Sequence, residues 1–270
     1  MADYETVKFD IEGHFLADTE MIGVVTLNRA AKLNAINPQL VEDLGKVFDE
    51  IEKNKDVRVV IIRSASEKAF SVGADVAAAA SMMSELDKAR EFVATGQKLF
   101  RRIASFPKPI VAELNGFVLG GGLELAMCCD LRIVEKGAKL GNPEVQLGLV
   151  AAWGGTQRMA KIVGIGKAKE LILSGRQATA DEALACGLVN KVVEPDELHS
   201  EALFMAQQIA DNAPIAVRYS KRLINMSFDV PIEKGNAEEL DAICSTFTTK
   251  DLQAGITALF SKSKPKFTDE

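Results

Sequence analysis

The sequence predicts an α/β protein built around a largely parallel sheet. Short apolar runs rich in Val and Ile alternate with longer segments of helical periodicity, and each run is too short to be a stable helix. Such alternation is typical of parallel strands joined by helices. The runs are Ile22–Leu27, Val57–Arg63, Pro109–Leu114, Leu131–Glu135 and Leu188–Val193.

The helical candidates lie between these runs and continue alone beyond them. Between the strands they are Pro38–Asn54, Ser84–Ala104, Gly122–Cys129, Gly154–Ile162 and Lys167–Leu173. After Pro195 the strand signal stops, and four further helices follow at Glu197–Asn212, Ala213–Met226, Ile232–Cys244 and Lys250–Phe260. We therefore predict a core over 1–195 and a helical region over 196–270 that ends in a polar, basic, extended tail.

Composition limits the classes of function. A chain of 270 residues that is 47% hydrophobic can bury a sizeable core. A net charge of −6 and a pI near 5.2 disfavour nucleic-acid binding. No window of 18 uncharged apolar residues predicts a membrane span. The four cysteines form no CxxC pair and no metal-ligand spacing, as expected in a reducing compartment.

The N-terminal residues and the two histidines narrow the expectation further. MADYETVKFDIEG has neither an apolar signal region nor an Arg-rich amphipathic pattern, so we expect a cytoplasmic protein. A processed protein of an organelle matrix would have the same composition. His14 and His199 have no Ser or Cys partner motif nearby, which disfavours a His-based catalytic triad.

The stretch LGGGLELAMCCD, residues 119–130, carries the first chemical signal. Three consecutive glycines are unfavourable in a helix and favour a tight turn whose N–H groups are available to an anion. Glu124 then falls in the first turn of a helix that is otherwise apolar, where burial would raise the pKa of the carboxyl and the helix N-terminus would lower it. A base tuned in this way suits proton transfer, although a glutamate that only complements the helix dipole would look the same. Neither a P-loop nor a G-x-G-x-x-G spacing is present.

Two further segments carry similar signals. In GNPEVQLGL, the residues Asn142-Pro143-Glu144 are typical of a helix start, with an N-cap, a first helical residue and an acid just inside the helix. A Glu144 that only compensates the helix dipole is the alternative to a chemical role. In KAFSVGADV, Gly73 supplies a turn and Asp75 caps a helix that starts near Val76. The amide of Ala74 would then lie at a second helix entrance. Two such entrances can supply converging donors to an oxyanion, although an ordinary strand–turn–helix connection fits too.

These segments together resemble the crotonase (enoyl-CoA hydratase/isomerase) family. The resemblance covers nearly the whole chain and rests on TLNRAAKLNAI, KAFSVGADV, KPIVAELNGFVLGGGLELAMCCDLRI, AKLGNPEVQLGLVAAWGGTQR and ADEALACGLVNKVV. Carrying both Glu124 and Glu144 is most similar to the short-chain enoyl-CoA hydratases. The resemblance implies a spiral of repeated ββα units, a C-terminal helical region that forms trimers or pairs of trimers, and an acyl-CoA thioester substrate.

The resemblance also implies roles for individual residues. The amides of Ala74 and Gly121 would form the oxyanion hole, and Glu124 and Glu144 would handle the water and the α-carbon proton. Coenzyme A, as part of the substrate and not as a cofactor, would contact two lysines of the tail and four other segments. The residues implied are Lys32, Leu33, Ala35, Val72, Gly73, Asp75, Val76, Gly120, Ala152, Lys262 and Lys264. No metal is implied, and the basic tail could equally be only solvated.

The sequence departs from the family pattern at two places. Ala30 follows Arg29 where a proline is common, and the lysine comes one place later, at Lys32. The turn before GGTQR is Ala151-Ala152-Trp153, where a left-handed backbone at Ala152 would be strained. We expect Trp153 to pack around the acyl pocket and not to do chemistry.

The mechanism expected from these parts is reversible syn hydration of a trans-2-enoyl-CoA. We expect Glu144 to be the protonated acid and Glu124 to activate the water, with the two carboxyls titrating as a coupled pair. A double-bond isomerase of the same fold, which needs one acid/base, and a non-catalytic or RNA-binding relative are the alternatives. The two glutamates favour the hydratase, and the acidic pI disfavours RNA binding.

Overall fold

Two sheets of unequal size organise the fold. The computed structural model describes residues 4–14, 17–81 and 85–270. In chain order the strands are β1 Val7–His14, β2 Ala17–Leu27, β3 Val59–Ser64, β4 Ala69–Ser71, β5 Ile110–Leu114, β6 Phe117–Leu119, β7 Leu131–Glu135, β8 Lys139–Gly141, β9 Ala178–Thr179 and β10 Lys191–Val193. The large sheet has the order β1-β2-β3-β5-β7-β10, and the small sheet has the order β4-β6-β8-β9.

The chain passes from the large sheet to the small sheet and back in a repeated way. Each of β3, β5 and β7 lies in the large sheet and is followed within a few residues by β4, β6 or β8 in the small sheet. Successive strands within each series pair in parallel, and helical structure connects one ββ pair to the next. This confirms the α/β class and the ββα spiral expected from the family resemblance.

The helices agree closely with the sequence pattern. They are α1 Pro38–Lys53, α2 Val76–Ser81, α3 Leu86–Ala104, α4 Gly121–Ala126, α5 Gly155–Val163, α6 Ile165–Ser174, α7 Ala180–Ala185, α8 Leu198–Ala210, α9 Pro214–Met226, α10 Ile232–Thr246 and α11 Lys250–Ser261. The predicted start of α3 at Ser84 lies outside the described residues. None of the described helices is long and apolar enough to cross a membrane.

The large sheet is covered by apolar side chains on both faces. One face joins α1, α3 and α4 in the main core, where Phe48, Phe70 and Phe100 are fully buried. On the other face, residues such as Val24 and Ile61 pack against Ala202 and Ala206 of α8. The predicted boundary at residue 195 stays a prediction. α8 follows this boundary but packs on the large sheet, and only α9–α11 follow α8 in the chain.

The shortest strands were not predicted from the sequence. The small sheet consists of strands of two or three residues, which cannot show an alternation of apolar and polar positions. A first strand before His14 was expected, and it is confirmed as β1, in which Val7, Phe9 and Ile11 alternate with charged residues. It pairs antiparallel with β2 at the edge of the large sheet.

The C-terminal tail is extended, as predicted, but it is docked. The buried carboxylate of Asp251 accepts hydrogen bonds from the amides of Thr268 (2.7 Å) and Asp269 (3.2 Å). Arg58 donates to the carbonyl of Phe267 at 2.6 Å, and Arg218 pairs with Asp269. The tail is therefore fixed against α11 and the edge of the core.

Candidate active site

The candidate site lies where three parallel strands of the small sheet end. β4 leads into Gly73-Ala74, β6 leads into Gly120-Gly121, and β8 leads into Asn142 and Glu144. Because these strands are neighbours in the order β4-β6-β8, their carboxyl ends meet at one edge of the sheet. The three segments that sequence reasoning singled out separately are thereby brought together.

Two backbone amides converge at this edge. A Cβ at Gly121 would lie 3.5 Å from the amide nitrogen of Ala74, and a Cβ at Gly73 would lie 2.9 Å from that of Gly121. Gly73 has φ +90°, so it supplies both the turn and the close approach. The bridge to Ile36 uses the Gly73 carbonyl and the Asp75 amide. The Ala74 and Gly121 amides meet no protein acceptor among the described residues.

Glu124 is buried beneath these amides in the first turn of α4. It is 2% exposed, and its Oε1 accepts hydrogen bonds from the amides of Trp153 and Gly155, each at 2.7 Å. Burial raises the pKa of Glu124 to about 7, and the charge of Glu144 adds to this increase. The Gly155 and Trp153 amides and the charge of Arg158 oppose it. The predicted burial of this carboxyl is confirmed, and the groups that lower its pKa are the two amides and Arg158.

Glu144 stands on a short 3-10 helix, Pro143–Leu147. Its Oε1 accepts a hydrogen bond from the Asn142 amide group at 3.2 Å, while its buried Oε2 has no hydrogen-bond partner among the described residues. Burial raises the pKa of Glu144 above its ordinary value. Asn142 occupies the predicted N-cap position before Pro143, but its side chain caps no amide of the 3-10 helix, because it is turned toward Glu144 and the Gly120 carbonyl.

Trp153 fills the space behind the two amides, as expected for a packing residue. Its ring lies edge-on to Phe92 and Phe100, with centroids 5.3 and 5.4 Å away. A Cβ at Gly121 would lie 2.5 Å from the indole, so the glycine is required there for space. The left-handed residue of the turn is Gly154, with φ +107°, and Ala152 carries none of the expected strain. The Ala152 carbonyl accepts a hydrogen bond from Gln97.

The segment Lys32–Ala35 lies beside the loop that carries Ala74. The amide of Val72 donates to the Leu33 carbonyl at 3.1 Å, and the Ser71 hydroxyl donates to the Asn34 carbonyl at 2.8 Å. Lys32 and Val76 are exposed, whereas Ala35 and Gly73 are buried. The two candidate coenzyme A segments of the sequence analysis are thus neighbours.

Asp75 and Asn34 fix this pair of segments. The carboxylate of Asp75 caps α2 through the amides of Ala77 and Ala78 and pairs with Arg29 at 3.2 Å. Asn34 is fully buried and donates to Ser64 and to the Phe70 carbonyl, with φ +52°. Sequence reasoning missed Asn34; an Asn that tolerates a left-handed turn after Lys32-Leu33 was the available signal.

The remaining candidates lie elsewhere. Lys262 ends α11 in a left-handed conformation, and Lys264 pairs with Asp211 at 2.9 Å. The side chain of His14 lies outside the described part of the chain. Within the described residues no group of three His, Cys, Asp or Glu side chains could hold a metal ion.

Comparison with known proteins identifies the family. The model of the enoyl-CoA hydratase/isomerase family matches residues 18–270. A short-chain-enoyl-CoA hydratase of Clostridium acetobutylicum is 44% identical over 90% of this chain and 92% of its own length. The chain belongs to the enoyl-CoA hydratase/isomerase family.

Other members agree in both sequence and fold. A crotonyl-CoA hydratase of Syntrophomonas wolfei is 40% identical over 95% of this chain and 98% of its own length. The crystal structure of an enoyl-CoA hydratase from Bacillus anthracis superposes with a TM-score of 0.92 at 35% identity, covering 98% of this chain and all of the other. The similarity in fold therefore extends over nearly the whole chain, including the residues of the site described above.

Proposed function

We propose that this protein is an enoyl-CoA hydratase, a hydro-lyase that adds water in syn fashion to the double bond of a trans-2-enoyl-CoA. In reverse it dehydrates a 3-hydroxyacyl-CoA at the same site. The observation that carries the proposal is the pairing of two buried glutamates, Glu124 and Glu144, with two converging amides at the ends of neighbouring strands.

The amides of Ala74 and Gly121 bind the thioester oxygen in this proposal. Attack of water on the β-carbon places negative charge on that oxygen in the transition state. Donors that are already aimed at this position stabilise the charge without reorganisation. The proximity of the two amides and the lack of a protein acceptor among the described residues support this role.

The two glutamates divide the proton transfers. Glu124 takes a proton from water as the water oxygen bonds to the β-carbon, and Glu144 gives a proton to the α-carbon. A proton must then pass back from Glu124 to Glu144 before the next turnover. The two amides on Glu124 favour its ionised form, and the unpartnered Oε2 of Glu144 suits a protonated carboxyl.

Coenzyme A binding is proposed for the adjacent segments Lys32–Ala35 and Val72–Val76. The exposed side chains of Lys32 and Val76 are available to a ligand, whereas the Asp75 carboxylate is engaged and acts by fixing the loop. Gly120 and Ala152 complete the proposed contacts around the thioester. Lys262 and Lys264 are proposed to meet the phosphates of coenzyme A bound to a neighbouring subunit.

The proposal also covers the need for a cofactor, the assembly state and the cellular compartment. The reaction as written needs no cofactor, because coenzyme A enters and leaves with the acyl group. The C-terminal helices are proposed to form a homotrimer or a pair of trimers. Four free cysteines support a reducing compartment, for which we propose the cytoplasm or an organelle matrix.

The decisive experiment is incubation with crotonyl-CoA while the absorbance of the conjugated enoyl thioester is followed. We expect the absorbance to fall and 3-hydroxybutyryl-CoA to form. Conversion of a 3-enoyl-CoA to the conjugated isomer without any hydration would instead show an isomerase. An inactive protein that binds RNA in a salt-dependent way would show the non-catalytic alternative.

The oxyanion donors are tested by Ala74→Pro. Proline removes the amide donor without adding a side chain that would meet Trp153, which a substitution at Gly121 would do. Losing one such donor typically raises the barrier by about 2.7–4 kcal/mol, so turnover should fall about 10²–10³-fold. Ala74→Ser, which keeps the amide, is the control and should retain most activity. A folded proline variant with normal turnover would exclude this amide from the reaction.

A further inference from the structure

Arg158 of α5 reaches back over the turn that holds Glu124. Its Nη1 donates to the carbonyl of Trp153 at 2.9 Å. The guanidinium also lies against Gly154, where a Cβ would be 1.9 Å from the same nitrogen. Gly154 is therefore covered by Arg158 on the side where another residue would carry its side chain.

The covered turn contains both amides that bind Glu124. Trp153 and Gly155 flank Gly154, and each donates to Oε1 of Glu124 at 2.7 Å. Displacing the turn would break both hydrogen bonds together. Arg158 thus binds the carbonyl of Trp153, the same residue whose amide orients the buried carboxylate.

Arg158 forms no ion pair with a carboxylate among the described residues. Among the described residues no carboxylate lies within 4.0 Å of its guanidinium, whereas Arg29 and Arg102 have Asp75 and Asp49 as partners. The titratable groups around Glu124 are Glu144 from the 3-10 helix, Arg158 from α5 and Cys128 from the turn that follows α4. β4 and β6, which also pack against α4, carry no titratable side chain. Among the described residues, Arg158 is therefore the cation whose charge acts on Glu124.

We propose that Arg158 is a positioning residue for hydration, which holds the Trp153–Gly155 turn on Glu124 and brings a positive charge to the side of this turn. The proposal rests on the function proposed above. It assigns two separable effects to one side chain: a hydrogen bond that fixes geometry and a charge that fixes the protonation state.

The test compares Arg158→Gln with Arg158→Lys by the dependence of crotonyl-CoA hydration on pH. Both replacements can donate to the Trp153 carbonyl, but only lysine keeps the charge. An opposite charge nearby lowers the pKa of a carboxyl, so its loss should move the acidic limb of the kcat profile to higher pH. Arg158→Lys should keep the limb of the wild type even if its maximal turnover is lower.

Thermal unfolding and assembly state are measured for each variant, and Arg158→Met serves as the neutral replacement if the glutamine variant does not fold. An acidic limb that moves with the neutral replacement but not with lysine supports the proposal. A limb that stays in place in the neutral variant, or that moves equally with lysine, overturns it. A wild-type protein that hydrates crotonyl-CoA at none of the pH values would instead contradict the proposed function itself.

Discussion

The two carboxyls of the site differ in how their oxygens are held. Glu124 has one oxygen fixed by two short hydrogen bonds from backbone amides, and its pKa is raised to about 7. Glu144 has a single contact from Asn142 at 3.2 Å and a second oxygen without a partner among the described residues. The two amides oppose the effect of burial on Glu124, and this suits its proposed role as the base.

Glu144→Gln tests the role of the acid. The amide side chain keeps the shape but cannot deliver a proton, so turnover should fall by at least about 10²-fold while acyl-CoA binding is retained. Single-turnover kinetics and calorimetry with a substrate analogue measure the two quantities. Glu42→Gln, on the surface of α1 beside Lys46, is the matched control and should leave turnover unchanged. Turnover close to that of the wild type in Glu144→Gln would remove this residue from the chemistry.

At the scale of elements, α3 and the start of α4 hold Trp153 between them. Phe92, Gly96 and Phe100 are spaced four residues apart on one face of α3, and the indole lies over the glycine. Gly121 lies against another edge of the same ring. Because the amide of Trp153 binds Glu124, the packing of α3 is linked to the carboxyl of Glu124 through Trp153.

Gly96→Ala should therefore damage both stability and activity. A Cβ there would lie 2.4 Å from Nε1 of Trp153, and such overpacking costs about 1–3 kcal/mol. The preference of alanine for helices offsets at most about 1 kcal/mol of this cost. The melting temperature and kcat measure the effect. Gly45→Ala in α1, where a Cβ meets nothing within 4 Å, is the control and should raise stability.

The contacts of His199 predict that the stability of the folded protein depends on pH. His199 of α8 bonds to Glu113 of β5 at 2.8 Å and lies near Glu12 of β1 and Arg63 of β3. The hydrogen bond to Glu113 raises the pKa of His199 above 6.5. The stabilisation is thus complete below the unfolded pKa and is lost as pH rises through the folded pKa.

His199→Gln should remove this dependence. The difference in melting temperature between the wild type and the variant should be larger at pH 6 than at pH 8. Differential scanning calorimetry at both values measures it. An equal difference at the two pH values would show that the histidine contributes only packing.

How far the sequence predicts such elements depends on what each residue contacts. The longer strands and the helices follow from local periodicity, and Glu124 was predicted as buried because its neighbours in α4 are apolar. The small sheet was missed because its strands have at most three residues. The links of Trp153 to Gly96 and of Asp251 to the tail join residues distant in sequence, so no local pattern contains them.

At the scale of the whole molecule, the last three helices and the segments between them expose many large apolar side chains. The exposed fraction is 69% for Phe228, 69% for Phe247 and 83% for Phe260. The other members of this surface are Ile224, Ile232, Leu240, Ile243, Ile256 and Leu259. Monomeric proteins rarely expose contiguous apolar patches larger than a few hundred Å², which supports the proposal that α9–α11 are covered in an assembly.

The assembly is tested by light scattering at micromolar concentration. We expect the wild type to scatter as a trimer or hexamer of the 29.1 kDa chain. The double substitution Phe247→Asp and Phe260→Asp places two charges on the apolar surface, and burying them on association would be costly. The variant should therefore dissociate toward the monomer while circular dichroism shows an unchanged fold. Leu184→Asp, at an exposed apolar position of α7, is the control and should not change the mass. A monomeric wild type would contradict the proposed trimer, and with it the proposal that Lys262 and Lys264 act on coenzyme A bound to a neighbouring subunit.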